Sequence, residues 1–190
     1  MAPEKGSVTV DGRLDDAAWR EARFFADFLQ KEPVQGAAPT ERTEIAFVYD
    51  GGALYIAARM LHQDPSNIAE VMTRRDEMGN VETLAVSLDT YLDRRTSYSF
   101  AVTAAGTRAD WYHRSDSEGD RDYDFNPVWD AAAAAPWAVR PVLMARTGLA
   151  LAPWVISWAS STNSCPFERS SRYMRMTSVS GSWPRAAITN

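Results

Sequence analysis

Apolar and polar side chains alternate along most of the first 135 residues. In Thr43-Glu44-Ile45-Ala46-Phe47-Val48-Tyr49 the odd positions fall on one side and the even positions on the other, the period of a strand. Asp50-Gly51-Gly52 then predicts a turn, and Ala53 to Met60 a return strand, so the pair reads as an antiparallel hairpin. Thr83–Asp89, Ser97–Val102, Thr107–Tyr112 and Pro127–Ala132 repeat the pattern at short intervals. Before them, Ser7–Val10 is extended and Asp11-Gly12 is a turn signal. A brief helix through Ala17–Ala22 is expected to be capped by Asp15 or Asp16, with Leu14, Ala18 and Trp19 facing inward. Phe24, Phe25, Phe28 and Leu29 continue an apolar strip, and Lys31 to Thr40 reads as a loop. Five to seven strands with one short N-terminal helix predict an all-β fold, an antiparallel β-sandwich.

Charge and composition divide the chain in two. Residues 1–135 carry 24 of the 25 acidic and 14 of the 20 basic side chains, whereas residues 136–190 carry one acid, Glu168, and six arginines. The first part therefore reads as the sandwich domain. The second reads as an atypical basic tail rich in Ser, Arg, Trp and Pro, part of which could complete the sandwich. Two accounts of the tail stay open: a foreign reading frame in GC-rich coding sequence, and a basic interaction segment.

Several chemistries are excluded or disfavoured. Cys165 is the single cysteine, so no intrachain disulfide or thiolate cluster is available. A net charge of -5 offers no concentrated basic face for nucleic acid. No signal peptide and no run of apolar residues long enough to span a membrane is visible. A Gly-rich phosphate loop, a nucleophile elbow and a His-Glu metal motif are all lacking.

The order Val10-Asp11-Gly12-Arg13-Leu14-Asp15-Asp16-Ala17-Ala18-Trp19, Pro39–Glu44, Tyr49-Asp50 and Leu54–Met60 carries a resemblance. With Arg74-Arg75-Asp76-Glu77, Leu88–Thr96, Tyr98-Ser99-Phe100 and Pro127-Val128-Trp129-Asp130, residues 8–134 resemble the family 9 carbohydrate-binding module, in the variant found at the amino end of large bacterial surface or periplasmic proteins. The resemblance implies a β-sandwich that binds sugar ends in an aromatic slot, often with structural calcium, in a periplasmic or extracellular setting. Trp137 stands where a closing strand would start, but Ala138-Val139-Arg140-Pro141-Val142 departs from the family pattern. The closing strands are accordingly expected to be absent or replaced.

Sugar recognition needs flat apolar faces for pyranose C–H groups and polar groups for the hydroxyls. Trp111 and Trp129, on strands expected to be neighbours, are the stacking candidates, with a core position for Trp129 as the competing account. Arg94, Arg95 and Asp89 are the candidate hydroxyl contacts, since a guanidinium fork is fixed and always charged. The competing account pairs Asp89 with Arg95 to hold a turn. Calcium would take hard oxygen ligands, which Asp120, Asp122 and Asp124 offer together with Asp116 and Glu118 at a spacing of two; a solvated acidic loop is the competing account. Function then reads as noncatalytic binding of an oligo- or polysaccharide. The alternatives are a structural or protein-docking domain of a larger surface protein and, third, a glycoside-processing enzyme, which would need two facing carboxylates.

Overall fold

The computed structural model describes residues 8–30, 33–64, 66, 68, 70–115, 117, 119–134 and, as backbone alone, 138–139, 142–145 and 155–161. Its strands form two antiparallel sheets. The first runs in the order β1 (Phe24–Phe25), β2 (Thr43–Tyr49), β3 (Leu54–Leu61), β10 (Val142–Ala145) and β8 (Trp129–Ala132), with β9 (Ala138–Val139) also on β3. The second runs β11 (Val155–Ser161), β4 (Thr83–Asp89), β5 (Ser97–Thr103), β6 (Arg108–His113) and β7 (Arg121–Asp122). The single described helix, α1 (Ala17–Glu21), precedes them. No helix among the described residues is long and apolar enough to cross a membrane.

The alternation sets what each face buries. Ile45, Ile56, Ala58 and Met60 of the first sheet meet Leu84, Val86, Leu88, Phe100 and Val102 of the second in one core, which Trp129 also enters. The other parity of the first sheet, Ala46, Val48, Tyr55 and Ala57, is covered by Val8, Leu14 and Trp19 of the N-terminal segment. The first sheet is thus buried on both faces, which is why β3 is apolar almost without interruption instead of alternating. Each large side chain buried this way contributes about 1.5–3 kcal/mol.

Local chemistry fixes the connections. Asp50 Oδ1 accepts the backbone N–H groups of Gly52 and Ala53 at 2.7 and 2.8 Å, while its Oδ2 accepts the Tyr55 hydroxyl at 3.0 Å. That carboxylate builds the β2–β3 hairpin. Gly12 has φ +80°, and a Cβ there would stand 2.9 Å from both Ala134 Cβ and Ala134 N, so the N-terminal turn packs directly on the chain that leaves β8. The α1 cap differs from expectation: Asp16 occupies the N-cap position without a side-chain cap bond, and its Oδ2 accepts Thr9 N–H at 3.1 Å instead.

The sheets continue past the composition break. Leu143 of β10 sits in register with Ile56 on one side and Ala131 on the other, and β11 pairs with β4 from Val155↔Asp89 to Ser161↔Thr83. Segments of the tail thus take places in both sheets as backbone. Cys165 and Glu168 lie outside the described residues.

Candidate aromatic rim at one end of the sandwich

The turn between β4 and β5 is held by two carboxylates. Asp89, at the end of β4, accepts Asp93 N–H at 3.2 Å on one oxygen and Arg94 N–H at 2.8 Å on the other. Asp93 accepts Arg95 N–H and Thr96 N–H, both at 2.8 Å, and the Thr96 hydroxyl at 2.7 Å. The bonds from Thr96 hold the Asp93 carboxyl below its ordinary pKa. Leu92 and Arg94 both sit in the left-handed region, at φ 56° and 58°, which costs free energy for side chains of their size. The conformation persists because four backbone donors are satisfied in it.

This turn presents Tyr91, Leu92, Arg94 and Arg95 to solvent. Neither Arg94 nor Arg95 forms an ion pair with a described residue, so both guanidinium forks are free to contact a ligand. Asp89 is not free in that way. The structure assigns its carboxylate to the backbone, and it does not pair with Arg95.

Behind the turn lies a ladder of rings. The Tyr91 hydroxyl hydrogen-bonds that of Tyr98, a contact that pushes the Tyr98 phenol up to about 12, with burial adding to it. Tyr98 stands 4.9 Å, centroid to centroid, from both Tyr112 and Phe125. Phe125 meets Phe100 at 6.1 Å, and Phe100 meets Trp129 edge-on at 5.3 Å. The ladder therefore runs from an exposed phenol to a buried indole, with half-buried Tyr98, Tyr112 and Phe125 between. None of these four rim aromatics is among the stacking candidates read from the sequence, although Tyr91 and Tyr98 fall in stretches that carry the resemblance. The available signal is parity: Tyr98 and Tyr112 are register partners and so share one face of the second sheet.

The two tryptophans correct the sequence-based picture. Trp111 is on β6 of the second sheet and Trp129 on β8 of the first, so they are not on neighbouring strands. Trp129 is 5 % exposed, lies in the core, and donates Nε1–H to Asp110 at 3.2 Å. Trp111 is 4 % exposed on the opposite face of its sheet, over Ala101 and Ala109. Its Nε1–H donates to His113 Nε2 at 2.7 Å, and the Arg121 guanidinium covers its ring at 4.8 Å. Neither indole offers an open face for stacking. Burial and the neighbouring Arg121 hold the His113 pKa below its ordinary value, in keeping with an unprotonated Nε2 acceptor.

Part of the acidic run is engaged within its own loop. Asp122 is paired with the Arg114 guanidinium, which lowers its pKa, and Asp120 accepts the Ser115 hydroxyl at 3.0 Å. Asp124 donates its backbone N–H to Asp122 at 3.0 Å. Among the described residues no three acids, histidines or cysteines gather around a common point. Asp116 and Glu118 lie outside the described residues.

A concavity of about 380 Å³ opens where β2 begins and β3 ends, lined by residues that include Pro39, Glu41, Arg42, Leu61, His62 and Gln63.

No family model matches the sequence, and no curated protein matches it either. Two solved structures of a family 9 carbohydrate-binding module from Caldicellulosiruptor kristjanssonii are similar to the chain. The one in complex with glucose superposes with a TM-score of 0.62 at 12 % identity, covering 92 % of this chain and 84 % of that one. The one in complex with cellotriose gives a TM-score of 0.56 at 13 % identity over 85 % and 75 %. The chain has the fold of the family 9 carbohydrate-binding modules.

Proposed function

We propose that this protein binds carbohydrate without catalysis, at the sandwich end formed by the β4–β5 turn and the rings behind it. The observation that carries the reading is the juxtaposition of Tyr91, Tyr98, Tyr112 and Phe125 with the unpaired guanidinium groups of Arg94 and Arg95. Phenol and phenyl faces suit the C–H surface of a pyranose, and arginine forks suit its hydroxyls. The turn is held by four backbone bonds before any ligand arrives, so little ordering entropy is lost on binding. The likeness in fold to modules solved with glucose and cellotriose supports the same reading. Hydrolysis finds less support, because Asp89, Asp93 and Asp122 are each committed to backbone amides or to Arg114.

The burial of both Trp111 and Trp129 favours a second reading, a protein-docking domain that uses the same exposed turn. Calorimetry against mono- and oligosaccharides separates the two. Saturable heat that Tyr91→Ala and Arg95→Ala abolish supports sugar binding; no heat at millimolar ligand overturns it.

A further inference from the structure

We infer that Asp11 is a site of spontaneous modification, closing through its side chain onto the Gly12 nitrogen and reopening as isoaspartate. This stands apart from the carbohydrate reading and uses none of its residues. An aspartate followed by glycine closes such a ring readily, because glycine has no side chain to crowd the attack. The chain contains two such pairs, Asp11-Gly12 and Asp50-Gly51. The structure separates them.

The step needs no reactant but water. Gly12 N attacks Cγ of the protonated Asp11 carboxyl; the amide proton and the carboxyl hydroxyl leave together as water, and a cyclic imide remains. Water then adds to one of the two ring carbonyls. Opening at Cγ restores aspartate. Opening at the main-chain carbon leaves the backbone running through Cβ and Cγ, with the carboxylate on Cα. Atoms and charge are unchanged overall, and nothing is oxidised or reduced.

Little at Asp11 opposes the rotation that brings Cγ over the following nitrogen. Its side chain is exposed, and Oδ1 accepts a single hydrogen bond, from Arg13 N–H at 2.8 Å. Asp50 is only 6 % exposed and is held from three sides, by Gly52 N–H at 2.7 Å, Ala53 N–H at 2.8 Å and the Tyr55 hydroxyl at 3.0 Å. Neither Gly12 N–H nor Gly51 N–H has an acceptor among the described residues, so the contrast lies in the carboxyl groups. Isomerisation at Asp11 adds a main-chain atom where there is little room. A Cβ on Gly12 would already stand 2.9 Å from Ala134, and the bond from Thr9 N–H to Asp16 Oδ2 closes the same turn at 3.1 Å. The converted turn must lift from Ala134, which loosens the cover that Val8, Leu14 and Trp19 place over the first sheet.

The test is prolonged incubation of the full folded chain in warm neutral buffer made with H₂¹⁸O, followed by trypsin and mass spectrometry. Trypsin releases Asp11 in Gly6–Arg13 and Asp50 in Thr43–Arg59. A second chromatographic form carrying ¹⁸O is expected for Gly6–Arg13. It should lead any such form of Thr43–Arg59 by about tenfold or more, since the extra bonds at Asp50 must break before its ring closes. Tyr55→Phe should raise conversion at Asp50 severalfold and leave that at Asp11 unchanged. In the chain unfolded in guanidinium the two aspartates should convert at similar rates. An unconverted Asp11 in the folded chain overturns the proposal, as does equal conversion at both aspartates. An Asp50 indifferent to Tyr55→Phe, or the same bias in the unfolded chain, overturns it as well.

Discussion

Asp110 offers the sharpest test of how this sandwich is tied together. It lies on the inner face of β6, is 1 % exposed, and is bound by the Arg75 guanidinium through both oxygens and by Trp129 Nε1–H from the other sheet at 3.2 Å. The side chain of Arg75, in contrast, is 38 % exposed. The two partners should therefore respond unequally to loss of the other. Arg75→Met keeps the apolar stem but strands a buried carboxylate, and removal of one partner in that situation costs about 3–5 kcal/mol. Asp110→Asn removes the charge, keeps an oxygen for Trp129, and lets Arg75 turn to water, so the loss is that of ordinary hydrogen bonds, about 1–2 kcal/mol. In a chain of this length 1 kcal/mol moves Tm by about 2–4 °C. Thermal and urea melts of both variants measure the asymmetry directly. The double variant should cost clearly less than the two single losses together, since the stranded charge is gone. Equal losses, a larger loss for Asp110→Asn, or strict additivity would refute the reasoning.

Other consequences follow from the turns and the ring ladder. Gly12→Ala forces a side chain into φ +80° and against Ala134 at 2.9 Å, so a urea melt should show a loss of about 2 kcal/mol or more. Asp89→Ala removes the acceptor for two backbone donors, and should cost about 1–2 kcal/mol and speed hydrogen exchange at the amides of Asp93 and Arg94 without disturbing those of β2 and β3. The Tyr98 phenol is raised from 10.0 to about 12, so the folded chain keeps a proton that the unfolded chain releases between those values. This contribution is fully present below pH 10 and is lost as pH rises through the folded value. Stability should fall across that window, and Tyr91→Phe should shrink the fall, read from phenolate absorbance alongside unfolding.

The strands were legible because their period is set by burial. Thr43–Tyr49 and Thr83–Asp89 appear with the expected bounds, and Leu54–Leu61 and Ser97–Thr103 within a residue or so. β8 begins at Trp129, two residues later than the pattern suggested, and Val128 before it is exposed. The turn chemistry was harder to read. Asp89, Arg94 and Arg95 look alike in sequence as polar groups in a loop, yet one is committed to backbone donors and two are free. That division depends on φ values at Leu92 and Arg94 that composition does not announce. The rim rings were missed for a related reason: Tyr91, Tyr98, Tyr112 and Phe125 are scattered over 35 residues and converge only through the register of β5 and β6 and the return of the chain after β7.

The fate of the tryptophans follows from the same register. A buried indole usually finds an acceptor for its N–H, although Trp19 has none among the described residues. Asp110 is adjacent to Trp111 in sequence, but successive side chains on a strand point to opposite faces, so Asp110 cannot serve Trp111. It faces the core, where Trp129 arrives from the other sheet and takes it. Trp111 finds its acceptor on its own face: of the two nearest positions of the same parity, Ala109 has no polar side chain and His113 supplies the acceptor at 2.7 Å. Both indoles are thus satisfied inside the fold, and a sugar would have to break one of those bonds or displace Arg121 to reach either ring. Tyrosine carries no such conflict at a rim, since its hydroxyl can face water while the ring packs. On the proposed reading a pyranose would meet the phenols at the end of the sandwich, and Tyr91→Ala should weaken sugar binding more than Trp111→Phe does.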